Sequence, residues 1–235
     1  MRHQFTETIE TILASEFGQT ANVIYVSSDL IQYLNNKTRS ADRGSKARGS
    51  FGNIYALYVL VEDYVKHGFE QTGGYADYEG AQYSDLLQRQ RELPFGNKLQ
   101  NHALNHRLNQ EFHRMFPQQT LQPIIRDTET SRYWINESLL VIEIENQEYN
   151  LAQAIIRIID AYIEAKQGAF QSFIVDLENL QNISQHHPEE AITFIRNLLR
   201  PNVDARIFEI VSYAILKSTN STMRYTASNL TSPEI

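Results

Sequence analysis

The 235-residue chain has no cysteine. It therefore cannot contain disulfides, a thiol nucleophile or a thiolate metal site, and this composition is typical of proteins from a reducing compartment. No stretch approaches eighteen uninterrupted apolar residues, and the N-terminus lacks the apolar core of a signal peptide. We therefore expect a cytoplasmic protein with no membrane partner.

Positive charge is also scarce, because 21 basic residues face 28 acidic ones and give a net charge of −7. The exception is residues 37–48, where five basic residues accompany one acidic residue and the local charge is +4. The glycines there predict a mobile cationic arm tethered to the aromatic helix that follows. Such an arm can track the phosphates of DNA, and the alternative is a solvated surface loop. The candidate DNA-binding residues are Lys37, Arg39, Arg43, Lys46 and Arg48.

Apolar residues recur at helical spacing through most of the chain, for example at Ile54, Leu57, Tyr58 and Val61. The period changes to strand-like alternation between residues 121 and 146. The sequence predicts an α+β fold, mostly α-helical with a small antiparallel β-sheet near residues 121–146. No linker is evident, so we expect a single helical domain over residues 1–217 and a frayed tail over 218–235.

One set of carboxylates fits the chemistry of a metal-dependent nuclease, which needs two acids to hold Mg²⁺ against the scissile phosphate. Glu143 and Glu145 alternate on one face of a predicted strand, and Asp127 precedes them in a strand predicted to be its neighbour. These three are the candidate catalytic residues. The alternative is the exposed polar face of a hairpin. A second pattern, D-x3-E-x-K, comprises Asp160, Glu164 and Lys166, but a predicted helix turns its Glu and Lys about 200° apart.

Three histidines, His102, His106 and His113, fall at i, i+4 and i+11 of a predicted helix. Two imidazoles four residues apart can clamp a divalent metal. No acid of the HExxH type accompanies them, so a polar helix face is the favoured interpretation and no metal ligands are assigned. Glycine-rich phosphate loops, dinucleotide fingerprints and GxSxG elbows are absent from the sequence.

Three strings carry a family resemblance: RGSFGNIYALYVLVEDY at 48–64, RYWINESLLVIEIENQEYNLAQAIIRIIDAY at 132–162 and RPNVDARIFEIVSYAILK at 200–217. In these strings the chain resembles bacterial type II restriction endonucleases of the PD-(D/E)XK kind. The resemblance implies Mg²⁺-dependent, site-specific cleavage of double-stranded DNA by a homodimer that reads a short palindrome.

In such enzymes the helix that matches residues 203–217 carries a glutamate at the place of Glu209, so the resemblance makes Glu209 a further candidate catalytic residue. A strand hairpin with the catalytic carboxylates follows that helix in these enzymes. Only eighteen polar residues follow it here. The resemblance therefore implies a chain truncated before its nuclease core. Two alternatives stay open: a helical protein–protein interaction or regulatory module, and a complete nuclease that uses the Asp127 set.

Overall fold

The computed structural model describes residues 4–42, 44–99 and 102–183, together with the single residues 189, 192, 193 and 196. The chain divides into two compact units. The first comprises residues 1–41 and 46–170, and the second comprises residues 42–45 and 171–235. The domain predicted over residues 1–217 spans both units. The first unit contains all the strands of the described residues and their buried core.

The described residues are mostly helical, as the sequence predicts. The α-helices are α1 (Gln4–Phe17), α2 (Ala21–Ser27), α3 (Asp29–Ala41), α4 (Gly44–Lys66), α5 (Phe69–Thr72), α6 (Tyr83–Glu92), α7 (Leu108–Met115), α8 (Glu137–Leu140) and α9 (Ala152–Ile183). Short 3-10 helices cover Gly18–Thr20, Tyr75–Asp77 and Gly96–Lys98, and a π-helix over Ala103–Arg107 precedes α7. None of the described helices combines the length and the apolar character needed to cross a membrane.

Two small antiparallel sheets confirm the α+β class. The first has the strand order β1-β3-β2, formed by β1 (Ala81–Gln82), β2 (Ile124–Asp127) and β3 (Arg132–Ile135). The second is a hairpin of β4 (Val141–Ile144) and β5 (Gln147–Asn150). The sequence predicted β2, β3 and β4 but not β5. Two left-handed residues, Glu145 and Asn146, form the hairpin turn, which is the backbone that a two-residue hairpin favours.

The middle of α4 is the centre of the core, because every residue from Gly52 to Val61 is buried. The predicted single stripe was therefore too narrow, and other elements cover this helix on all sides. Apolar residues of α9 pack in the same core, including Ile155, Ile158 and Tyr162. Burial of such a continuous apolar surface from several elements is the main force that holds the first unit together.

Two helix boundaries follow the sequence signals. Gly68, at φ +70°, ends α4 in the left-handed conformation that glycine adopts at low cost. Asn150 caps α9, because its Oδ1 accepts a hydrogen bond of 2.9 Å from the backbone N–H of Ala152. The apolar spacing of the sequence predicts one helix over residues 151–166 and a second from Phe170 to Ile183. That break was wrong, since α9 is continuous through Gly168. The helices predicted over 188–200 and 204–217 lie largely or wholly outside the described residues.

Candidate nucleic-acid interface

Residues 37–48 do not form the predicted mobile arm. Helix α3 continues to Ala41, and α4 begins at Gly44, so only two residues separate them. Lysine, arginine and alanine are good helix formers, and their preference outweighs the cost of the glycines. The predicted loop was therefore wrong, because the described residues of this segment belong mainly to two helices.

Lys37 is a structural residue in this arrangement. Its side chain is only 11% exposed, and its ammonium forms an ion pair with Glu111 of α7. The ammonium also lies 5.3 Å from the centre of the Tyr33 ring. A buried ammonium with a carboxylate partner gains nothing by leaving it for a phosphate in water. The prediction that Lys37 binds DNA directly is therefore not supported by its position.

Glu111 joins three elements of the first unit. Besides Lys37 of α3, its carboxylate accepts hydrogen bonds of 2.7 Å from Asn53 Nδ2 of α4 and from Arg107 Nε, one turn earlier. Burial alone would raise the pKa of Glu111, but the hydrogen bonds from Lys37 and Arg107 outweigh it and hold the pKa below its ordinary value. The carboxylate therefore stays ionised at neutral pH.

Gly49 allows Arg107 to approach the start of α4. A Cβ at Gly49 would lie 2.6 Å from Arg107 Cζ and closer still to Nη2, well inside van der Waals contact. Glycine at this position is needed for close approach rather than for flexibility. The Arg107 side chain remains 41% exposed, so Glu111 and Gly49 fix a guanidinium that is still accessible to a ligand.

The other predicted cations differ in what surrounds them. Arg39 is exposed at the end of α3. Arg48 is half-buried, and its Nε has no hydrogen-bond partner among the described residues. Arg43 and the Lys46 side chain lie outside the described part of the chain. Sequence reasoning missed Arg107, which no local pattern could have linked to α4 because it lies 58 positions after Gly49.

The candidate catalytic carboxylates do not come together as predicted. Asp127 ends β2 in the three-stranded sheet, whereas Glu143 is an exposed residue of the separate β4–β5 hairpin. Glu145 lies in the turn at φ +53° and not in the strand, so it does not alternate with Glu143. The predicted shared face was therefore wrong, because two sheets form where one was expected. Glu209 lies outside the described residues.

Asp127 has a local structural function. Its carboxylate accepts a hydrogen bond of 2.7 Å from the Thr130 hydroxyl and one of 2.9 Å from the Glu129 backbone N–H. These bonds close the turn between β2 and β3, as an aspartate commonly does. The Thr130 hydroxyl, followed by the backbone bond, lowers the pKa of Asp127 below its ordinary value.

The histidine pair at the start of the α7 region lies on the surface. His102 and His106 are exposed, with ring centres 6.3 Å apart, and His106 belongs to the π-helix. Among residues 4–42, 44–99 and 102–183 no three histidine or carboxylate side chains are grouped as a metal site requires. The D-x3-E-x-K pattern of Asp160, Glu164 and Lys166 lies on α9. This confirms the prediction that these three residues belong to a helix.

A cavity of about 390 Å³ lies beside the central helix, between α4, α6 and β3. Glu62 on its wall receives two 2.8 Å hydrogen bonds from Arg89, and Asp63 accepts one of 2.6 Å from the Tyr78 hydroxyl. This hydrogen bond holds Tyr78 on the cavity wall. The only sequence signal for this cavity is the charged run that ends α4, at positions 62, 63, 66 and 67.

The charges of this cavity are mixed. Burial raises the pKa of Asp63 above its ordinary value despite the Tyr78 hydrogen bond. His67 Nδ1 lies 2.8 Å from the Asp63 carbonyl oxygen, which can only accept, so Nδ1 carries the proton and a neutral ring keeps Nε2 as an acceptor. Both acidic and basic side chains therefore line the cavity, and we assign it no contact with DNA phosphates.

Comparisons with protein-family models, with curated proteins and with solved structures found no match to this chain. The residues themselves, and the resemblance that the three strings carry, are therefore the evidence for a function. The described cations that bear on it lie at the adjoining ends of α3 and α4 and at Arg107.

Proposed function

We propose that the chain binds double-stranded DNA as a type II restriction endonuclease, or as part of one. Mg²⁺-dependent hydrolysis of a phosphodiester is expected of the full enzyme. The three sequence strings described above support this proposal, and one of them, residues 48–64, forms most of the central helix α4. A cytoplasmic homodimer that reads a short palindrome belongs to the same proposal.

The observation that carries the proposal is the pairing of two cations, Lys37 and Arg107, with one partly buried carboxylate, that of Glu111. Glu111 pairs with both Lys37 and Arg107, and Arg39 and Arg48 lie on the same two helices as Lys37 and Gly49. Basic groups thus outnumber the acid that holds them. In a chain with a net charge of −7, such a surplus is the feature that a polyanion would recognise.

Lys37, Arg107 and Arg39 have different functions in the proposed interface. Lys37 and Glu111 fix the packing of α3 against α7, and Glu111 and Gly49 fix the Arg107 guanidinium. A guanidinium held in place loses little side-chain entropy when it binds a phosphate, and its planar donors match two phosphate oxygens. Arg39, which is exposed, supplies a second contact with the phosphate backbone.

The described residues do not fit a magnesium site. No suitable group of three ligands exists within residues 4–42, 44–99 and 102–183, and Asp127 and Glu143 belong to different sheets. The proposal therefore assigns DNA binding to these residues and assigns them no hydrolytic step.

A gel-shift titration of a 30-base-pair duplex tests the proposal. Arg39→Gln removes an exposed cation of the interface, and we expect weaker retardation at low salt. Arg157→Gln is the matched control, because Arg157 is a partly exposed arginine on α9 that pairs with Glu16. Its replacement should leave the affinity unchanged.

The opposite results would remove the proposal. Absence of retardation of the duplex by the wild-type protein at low salt argues against DNA binding. Equal effects of Arg39→Gln and Arg157→Gln would indicate attraction by general charge rather than by this interface. Either result favours the alternative of a helical protein–protein interaction module.

A further inference from the structure

The cavity beside the central helix has room for a small ligand. Its volume of about 390 Å³ lies near the lower end of the range of about 300–1,000 Å³ that ligand pockets have. Two buried apolar side chains, Val59 and Leu86, line part of it, and charged side chains of α4, α6 and β3 line much of the rest. The charges that have no close partner of opposite sign therefore decide the class of ligand.

Four charges in or beside the cavity neutralise one another. Arg89 donates two hydrogen bonds of 2.8 Å to Glu62, and its Nη1 lies 3.5 Å from Glu92 Oε2. The Lys66 ammonium pairs with Glu62 at 3.0 Å. Two cations thus face two carboxylates, so this group attracts neither an anion nor a cation strongly.

Asp63 is a carboxylate of the cavity wall with one oxygen that accepts no hydrogen bond from the described residues. Its Oδ2 accepts the hydrogen bond of 2.6 Å from the Tyr78 hydroxyl. Its Oδ1 lies 3.7 Å from His67 Nδ1, but the proton on that nitrogen is donated to the Asp63 carbonyl oxygen. The Asp63 side chain is only 19% exposed. An ammonium group in the cavity would supply both the donor and the counter-charge that Oδ1 lacks.

Arg132 of β3 is the cation of the cavity wall without a close carboxylate. Its Nη1 donates a hydrogen bond of 2.7 Å to the Gly80 carbonyl oxygen, which fixes the guanidinium at the cavity. Its one ion pair within the described residues is with Glu79, at 4.0 Å, and the Glu79 side chain is 82% exposed. Such a pair contributes little, so the remaining donors of Arg132 can exchange Glu79 for the carboxylate of a ligand.

Asp63 and Arg132 both act on Tyr78. Burial is the main cause that raises the pKa of Tyr78, the hydrogen bond and charge of Asp63 raise it further, and the Arg132 guanidinium lowers it. The two charges therefore lie near the same hydroxyl, yet they form no ion pair with each other. One small cavity thus presents a negative and a positive group that stay apart, which is the complement of a molecule that carries both charges.

We propose that this cavity binds a small amino-acid zwitterion. The ammonium of the ligand bonds to Asp63 Oδ1. Its carboxylate bonds to the Arg132 guanidinium and displaces Glu79. Its aliphatic part contacts Val59 and Leu86. A simple anion or cation would leave one charge of the wall desolvated without a partner, so a molecule with both charges is favoured. None of these residues belongs to the proposed DNA interface, and the site is separate from it.

Calorimetric titration of the full chain with the twenty L-amino acids, β-alanine and 4-aminobutyrate tests the proposal. We expect at least one of them to bind and to raise the unfolding temperature, since a ligand of the folded state stabilises that state. The amide of that amino acid lacks the carboxylate and its N-acetyl derivative lacks the ammonium, so each should bind about ten-fold more weakly or not at all. Absence of binding by every member of the panel at about 10 mM would overturn the proposal, as would equal binding of the amide or the N-acetyl derivative.

Two variants each remove one of the charges that hold the ligand. Arg132→Gln and Asp63→Asn should each weaken the binding of the amino acid about ten-fold or more. Asparagine at position 63 keeps an oxygen that can accept the hydrogen bond from the Tyr78 hydroxyl. Unchanged affinity in either folded variant would refute the site.

Glu79→Gln gives a result in the opposite direction, at an exposed residue. Loss of this competitor for Arg132 should tighten the binding of the amino acid about two-fold. Glu143→Gln is the matched control, because Glu143 is an exposed glutamate of the β4–β5 hairpin outside the cavity, and its replacement should leave the affinity unchanged. If Arg132→Gln and Asp63→Asn do not fold, equal affinities of Glu79→Gln and Glu143→Gln overturn the proposal.

Discussion

Replacing Glu111 by glutamine should be the most destabilising charge change in the first unit. The substitution keeps the shape of the side chain but removes the negative charge that Lys37 and Arg107 share. Glu111 itself is only 17% exposed, so the Lys37 ammonium would be left almost buried without a counter-charge. The hydrogen bond from Asn53 Nδ2 would lose its charged acceptor as well.

The size of the effect follows from burial. Removal of one partner from a buried ion pair costs about 3–5 kcal/mol. We expect about 3 kcal/mol, at the lower end, because Arg107 is half-exposed and glutamine keeps one oxygen as an acceptor. With a urea dependence of about 2–3 kcal/mol per molar, the unfolding midpoint should fall by about 1 M.

The stability difference between wild type and Glu111→Gln should depend on pH. The pKa of Glu111 is lower in the folded than in the unfolded chain, so the unfolded state binds more protons as the pH falls. The stabilisation is present above the unfolded pKa and is lost as the pH falls through the folded one. The difference between wild type and Glu111→Gln should therefore be full at pH 7.5 and shrink in acid.

Urea unfolding at pH 7.5 and at pH 4 measures this difference. Glu143→Gln is the control, because Glu143 is exposed and lies opposite Glu148 across the hairpin, where loss of one like charge should be neutral or slightly stabilising. Equal midpoints for wild type and Glu111→Gln at pH 7.5 would show that the Glu111 charge does not stabilise the fold. A difference that stays constant in acid would show that the charge is not its cause.

Other changes test neighbouring features. Gly49→Ala should displace the Arg107 guanidinium and lower the affinity for duplex DNA in the gel shift. Gly80→Ala should destabilise the fold by about 1–3 kcal/mol in urea unfolding, because Gly80 has φ +89° and a Cβ there would lie 2.5 Å from the Trp134 ring. Burial raises the pKa of Asp63, so relative to Asp63→Asn the wild type should gain stability as the pH falls through the folded pKa. Unchanged relative midpoints between pH 7 and pH 4 would contradict this.

The parts of the fold that the sequence predicted depend on local signals. The apolar period of α4 and the stop at Gly68 lie within a single helix, and the Asn150 cap acts on a backbone N–H two residues away. Strands β2 and β3 follow one another with a short turn between them. Their strand-like residue pattern can therefore be recognised without knowledge of distant contacts. These features need no knowledge of distant residues.

The parts that the sequence did not predict depend on partners far along the chain. Lys37 and Glu111 are 74 positions apart, and nothing near Lys37 indicates that its charge is buried. Glycine at position 49 suggested flexibility, although its actual function is to admit Arg107. The predicted grouping of the three carboxylates was wrong for a related reason. The sequence analysis did not recognise a turn at Glu145, and this turn places Glu143 in a separate hairpin.

The salt dependence of duplex binding separates a phosphate contact at Arg39 from a structural ion pair at Lys37. Wild type, Arg39→Gln and Lys37→Met are compared across 50–300 mM salt. The account predicts that Arg39→Gln reduces the slope of log K against log salt by about 0.9, the value for one lost phosphate contact. Lys37→Met, which loses only a buried partner of Glu111, should keep the wild-type slope while unfolding at lower urea. A wild-type slope for Arg39→Gln together with a reduced slope for Lys37→Met would contradict the account.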